Sequence, residues 1–194
     1  MRLGAIEAGG TKFVCGIADK EGNVLERVSF PSETPEITLQ KVYNFFKNKR
    51  VEAIGVGSFG PIDPNQSSET YGYITKTPKK YWSDFNLIGE LQKKLNVSMI
   101  FDTDVNSAAL GEATWGAAKG LKNCLYLTIG TGIGGGVMKQ FQLFPLIRKN
   151  VKEMLNNYVQ TKEILENIDK YIVSPALGDN AGLLGCIALV LKLK

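Results

Sequence analysis

Two glycine-threonine turns and a pair of aspartates are the parts of this sequence equipped for chemistry. "EAGGTK" offers Gly9, Gly10, Thr11 and Lys12, and "GTGIGGG" offers Gly130, Thr131 and Gly132, then Gly134, Gly135 and Gly136. Backbone N–H groups of such turns can converge on an anion because no Cβ intervenes, and a hydroxyl or ammonium adds a donor. Either turn alone reads better as a tight hairpin. Two of them in comparable settings point to nucleotide phosphates, although neither fits a P-loop or a dinucleotide fingerprint.

"FDTDVN" supplies Asp102 and Asp104. Their spacing puts both side chains on one face of a strand, unless the strand is already ending. Asp102 reads evenly as a helix cap or a site residue. Asp104 is the better base, because phosphoryl transfer to an alcohol needs a carboxylate to accept the hydroxyl proton. Glu7, ending the first strand, either organises Mg²⁺ through water or is a surface charge. The sequence has no histidine. That excludes Ser-His-Asp and Cys-His catalysis and nearly all zinc-hydrolase chemistry, leaving a carboxylate, lysine or tyrosine as base.

The elements that must position these groups follow from periodicity. Strands are expected over Leu3–Ala8, Phe13–Ala18, Val24–Phe30, Val51–Ser58, "VSMIFDTDVN" with its carboxylates at the C-terminal end, Cys124–Ile129 and "YIVSPAL". Helices are expected over Glu36–Lys49, Phe85–Leu95, an alanine-rich run capped by Asn106, Gln142–Asn156, Lys162–Asp169 and Ala181–Leu191. The irregular Pro/Gly/Ser-rich stretch from Phe59 to Trp82 is long enough to be a functional loop. Strand meanders followed by alternating helices and strands make an α/β protein. "IEAGGTKFVCG" and "LTIGTGIGGGV" echo one another, as in a duplicated two-lobed architecture.

Composition sets the class. At 44% hydrophobic and 22% charged, the chain is an ordinary globular protein of net charge +4. No apolar run is long enough for a membrane span and no signal peptide is evident, so a cytoplasmic protein without a membrane partner is expected. Lys76, Lys79 and Lys80 in "KTPKK" read as a solvated loop rather than a nucleic-acid site. Cys15, Cys124 and Cys186 read as three reduced, buried thiols.

Six segments in order, "IEAGGTKFVCG", "GSFGPID", "FDTDVNSAALGEATWGAAKG", "LTIGTGIGGG", "GGGVMKQFQLFPLIRKNVKEMLNNY" and "YIVSPALGDNAGLLG", resemble the ROK sugar kinases, in particular their bacterial fructokinase branch. The resemblance covers practically the whole chain. It implies the two-lobed, actin-like ATPase (ribonuclease H-like) fold, with an N-terminal lobe at 1–118 and a C-terminal lobe at 119–194. It implies ATP and Mg²⁺ as cofactors and a hexose as substrate, with Asp104 the base. Gly9, Gly10, Thr11 and Lys12 would form the first phosphate loop, and Thr131 and Gly132 the second. Gly134, Gly135, Gly136, Val137 and Met138 would touch the nucleotide from the adenosine side, and Gly178 to Gly182, with Asn180, would close that end. Gly60, Pro61 and Asp63 would border the sugar, and Thr103 and Asn106 would shape its site. Thr103 and Glu7 stand where many relatives have Asn and Asp, Glu7 as in the fructokinase branch. Homodimers are usual in the family.

The resemblance also implies a loss. In relatives, "GTGIGGGV" and "GGGVMKQ" are separate motifs with roughly a hundred residues between them, most of a small domain. That stretch carries a glutamate–histidine sugar contact and a histidine–cysteine zinc cluster. Here one glycine run serves both motifs, so the C-terminal lobe is expected to be internally truncated and without its zinc ligands. Two functions stay open. One is ATP-dependent phosphorylation of a hexose, with fructose to fructose 6-phosphate favoured. The other is a non-catalytic remnant that binds nucleotide weakly.

Overall fold

The computed structural model describes residues 1–128 and 140–192, apart from the side chains of 140–143. Three antiparallel strands open the chain: β1 (Leu3–Ala8), β2 (Lys12–Ala18) and β3 (Val24–Pro31). Helix α1 (Pro35–Phe46), with proline in its first turn, leads to β4 (Ile54–Ser58). The long loop holds a two-stranded ribbon of β5 (Tyr73–Ile74) and β6 (Phe85–Asn86). Helix α2 (Leu87–Leu95) follows, bounded by the Asn86 side chain, which accepts from the Gly89 N–H, and by left-handed Asn96. Strand β7 (Met99–Thr103) runs into α3 (Asp104–Trp115). The remaining helices are α4 (Gln140–Leu155), α5 (Lys162–Leu165), α6 (Ile168–Tyr171) and α7 (Ala181–Leu191).

The sheet order is β3-β2-β1-β4-β7, with β4 parallel to β1 and β7 parallel to β4. This three-strand meander extended by parallel crossovers is the topology expected of a ribonuclease H-like lobe. One face packs Ile6, Phe13, Val56 and Phe101 against α1, α2 and the buried Trp82. The other packs Leu3, Ala5 and Val14 against Leu183, Cys186, Ile187 and Val190 of α7. Alternation along β1 thus feeds two cores, as expected for a central strand. Helix α7 is buried from Ala181 to Val190, which its apolar sequence requires.

Two compact units result: Met1–Leu127 with Leu177–Lys194, and Thr128–Ala176. Helix α7 therefore belongs with the first lobe rather than with the rest of 119–194. Other expectations also need correction. Cys124–Thr128 and the "YIVSPAL" segment form no strand. A strand needs a neighbour to take its hydrogen bonds, and neither segment has one among the described residues. The helix expected over Lys162–Asp169 is broken into α5 and α6 at Glu166 and Asn167. Cys15 and Cys186 are buried, but Cys124 is exposed because its segment packs on no core.

Candidate functional site

The parallel strands β1, β4 and β7 end at one edge of the sheet, and the candidate residues collect there. Glu7 pairs in register with Gly57, and Gly57 with Asp102. Alternation aims Glu7 at the face covered by α7. There the first turn of α7 comes so close that a Cβ on Gly182 would lie 2.4 Å from the Glu7 carboxyl carbon. Burial pushes the Glu7 carboxyl above the usual carboxylate range. Lys12 and Arg27 oppose the shift, while the negative charges of Asp104 and Asp179 add to it.

Asp104 is not on the strand with Asp102, because β7 ends one residue before it. It opens α3, and its Oδ1 accepts the Val105 N–H at 2.9 Å. Burial raises its carboxyl as well, against those backbone hydrogen bonds. The cap of α3 is Thr103, whose Oγ1 accepts the Asn106 N–H at 3.0 Å; neither Asn106 nor Asp102 is the cap. The Asn106 side chain instead donates to Asp102 Oδ1 at 2.9 Å, tying the end of β7 to the first turn of α3.

Between β1 and β2 the chain reverses through Gly9, Gly10 and Thr11, closed by the Gly9 N–H on the Lys12 carbonyl at 2.9 Å. A Cβ on Gly9 would lie 2.6 Å from that oxygen, so the tight closure requires glycine. Gly10, Thr11 and Lys12 are exposed at the edge. Gly60 and Pro61 follow β4 at the same edge. Asp63 is held by its own loop: Oδ1 accepts the Asn65 N–H and Oδ2 the Thr70 hydroxyl, which with Ser68 keeps its carboxyl below the usual range. Gly178, with a positive φ, and Asn180 lie in the turn entering α7. Thr131, Gly132, Gly134, Gly135, Gly136, Val137 and Met138 lie outside the described residues.

Sequence reasoning missed Glu112. It is a buried carboxylate whose Oε2 accepts the Ala117 N–H at 2.7 Å and whose Oε1 accepts the Leu177 N–H at 2.8 Å. It joins the end of α3 to the chain that enters α7. Its one sequence signal is an acid in the middle of an alanine-rich helix. Among the described residues no group of three or more His, Cys, Asp or Glu side chains is set to hold a metal.

The chain is similar to known proteins in sequence and in fold. A family model described as "ROK family" covers residues 3–145. The fructokinase of Lactococcus lactis subsp. cremoris is 54% identical over 136 residues, 70% of this chain and 46% of its own length. A relative in Bacillus subtilis (strain 168) is 32% identical over 282 residues, spanning 96% of this chain and 94% of its own. An alignment of 282 residues against a chain of 194 requires a gap within this one. The inorganic polyphosphate/ATP-glucomannokinase of Arthrobacter sp. strain KM superposes with a TM-score of 0.65 over 99% of each chain at 20% identity, a likeness of fold. The chain belongs to the ROK family and is shortened against relatives of roughly 280–300 residues.

Proposed function

We propose that this site passes the γ-phosphoryl group of ATP to a hydroxyl of a hexose, with fructose as acceptor and fructose 6-phosphate as product. The observation that carries the reading is that Glu7 near the end of β1, the exposed Gly9–Lys12 turn and Asp104 just after β7 all lie at the carboxyl ends of the parallel strands. Supporting it are the fructokinase likeness and a fold neighbour whose name includes ATP.

In this reading the N–H groups of Gly10 and Thr11 and the Lys12 ammonium hold phosphate oxygens. Thr131 and Gly132, outside the described residues, would be the second phosphate turn by the family pattern. Asp104 accepts the proton of the attacking hydroxyl. A carboxylate whose proton affinity is raised by burial is a stronger base than a solvated one. Thr103 and Asn106 fix the turn that aims it, and Gly60, Pro61 and Asp63 shape the loop on the sugar side. Glu7 suits Mg²⁺ held through water, since a lone half-buried carboxylate is no cage and Mg²⁺ keeps several waters and phosphate oxygens. Bound there, Mg²⁺ would neutralise charge on the phosphates.

A second reading, a nucleotide-binding remnant, is favoured by the alignment gap and by Leu125 and Leu127, which are 82% and 73% exposed. A coupled ADP-release assay with Mg-ATP and fructose separates the two. Turnover that falls roughly 10²–10⁴-fold in Asp104→Asn supports the kinase. A cooperative melt with ADP binding but no turnover supports the remnant.

A further inference from the structure

Lys79 is not the solvated loop lysine that "KTPKK" predicts. It is half-buried, and its ammonium donates to the Ser32 carbonyl at 3.3 Å. The loop that carries it is anchored three residues on by Trp82, which is fully buried, stacks among Phe13, Phe59 and Phe85, and donates its indole N–H to the Glu33 carbonyl at 2.8 Å. Ser32 in turn donates its N–H to the carbonyl of Thr11 at 2.9 Å. Lys79 and the exposed glycine turn are therefore one hydrogen-bonded residue apart.

Two features of this cluster are unexplained by folding alone. The Ser32 hydroxyl oxygen is buried without a hydrogen-bond partner, although such groups are nearly always satisfied. The Lys79 ammonium pairs with no carboxylate among the described residues, and the nearby Glu33 carboxylate is engaged by Lys41. A hydroxyl without a partner, on the residue whose carbonyl accepts from an ammonium that no carboxylate pairs, adds to the donor set that a phosphate accepts.

We infer that Lys79 and Ser32, with the Thr11 end of the glycine turn, form a phosphomonoester-binding subsite. This extends the kinase reading, because the ester it would hold is the product of that transfer. The subsite would keep the new phosphate ester at the sheet edge after the hydroxyl has been phosphorylated.

The test is amide NMR titration of the full chain with inorganic phosphate, fructose 6-phosphate and ADP in separate arms. The variants are Lys79→Met and Ser32→Ala. Inorganic phosphate and fructose 6-phosphate should both shift Thr11 and Ser32, the sugar ester binding more tightly. Each should bind roughly tenfold more weakly to Lys79→Met and several-fold more weakly to Ser32→Ala. Ser32→Ala should melt no lower than the parent, because the hydroxyl it removes has no partner to lose. If neither phosphate compound shifts Ser32, or if both variants bind them as the parent does, the inference is overturned. Inorganic phosphate alone binding, with no preference for the ester, would also overturn the product role. The ADP arm, read at Gly10, judges the kinase reading separately.

Discussion

The last helix of the first unit and the first helix of the second make opposite use of their surroundings. Helix α7 is buried over ten consecutive residues, and its backbone touches the sheet: a Cβ on Gly55 would lie 1.8 Å from the Cys186 carbonyl oxygen. Among the described residues, the second unit buries no hydrophobic side chains beyond Ile164 and Ile168. It is clasped by long side chains of α4 on the carbonyls that end α5 and α6. Arg148 donates to Asp169 and Ile172, and Lys152 donates to Leu165. Such clasps satisfy helix C-termini, but they remove little apolar surface from water. Folding strength should therefore reside in the first unit.

The most severe way to break that contrast is Gly55→Val. The side chain has no space in front of the α7 backbone, so the helix must leave the sheet and expose the second core. A loss above about 4 kcal/mol, or no cooperative thermal melt at all, is expected. A melt within a few degrees of the parent would show that α7 is not seated on β4.

Glu112→Ala probes the same helix from its entrance. The backbone N–H groups of Ala117 and Leu177 lose a charged acceptor in two part-buried hydrogen bonds, at about 2–4 kcal/mol. Urea unfolding should register that loss, and hydrogen exchange at Leu177 should accelerate. Arg148→Ala, the matching cut in the second unit, should speed exchange only within 140–172. If Arg148→Ala lowered the main transition as much as Glu112→Ala does, the two units would not differ as described.

How far the sequence foretold all this depended on whether the deciding contact was local. Strands β1 to β3 were legible because alternation and the intervening turns are written in consecutive residues, and α7 because its apolar run has one sensible destination. The cap of α3 was misplaced by three residues, since Thr103 and Asn106 are both good caps and only backbone geometry chooses between them. The "CLYLTI" and "YIVSPAL" runs carry strand-type residues, yet strand is a property of a pair. Glu112 could not be recognised as a tie because its second acceptor contact lies 65 residues away. Glu7, Lys12 and Asp104 could be proposed together because glycine turns and strand-end acids have readable spacing. That Lys79 lies one residue from the same turn could not be, because the buried Trp82 decides it.

A smaller effect concerns pH. The folded-state carboxyls of Glu7 and Asp104 are both raised by burial, so in the window just above the ordinary carboxylate range the native chain holds more protons than the unfolded one. The contribution of these two groups to stability therefore falls as pH rises through that window, and it is most favourable on the acid side. Glu7→Gln removes one such group. It should raise the melting temperature near neutrality and flatten its dependence on pH in the window just above the ordinary carboxylate range. A lowered melting temperature at neutral pH would mean that Lys12 and the first turn of α7 more than offset the cost of burying the charge.

The smallest expected change lies in the second unit. Met154 and Tyr158 are 85% and 92% exposed, so cutting them back removes almost no buried apolar surface. Met154→Ser and Tyr158→Ser should each shift stability by less than about 0.5 kcal/mol, within the range of ordinary surface substitutions. The same changes lower the apolar exposure that drives association between chains, so a concentration series by light scattering should show less self-association. The two readouts pull apart by cause: stability reports what the side chains touch within the chain, and association reports what they offer outside it. A loss above 1 kcal/mol in the melt would mean that these residues are covered in solution, and the asymmetry between the units would then be smaller than their surfaces imply.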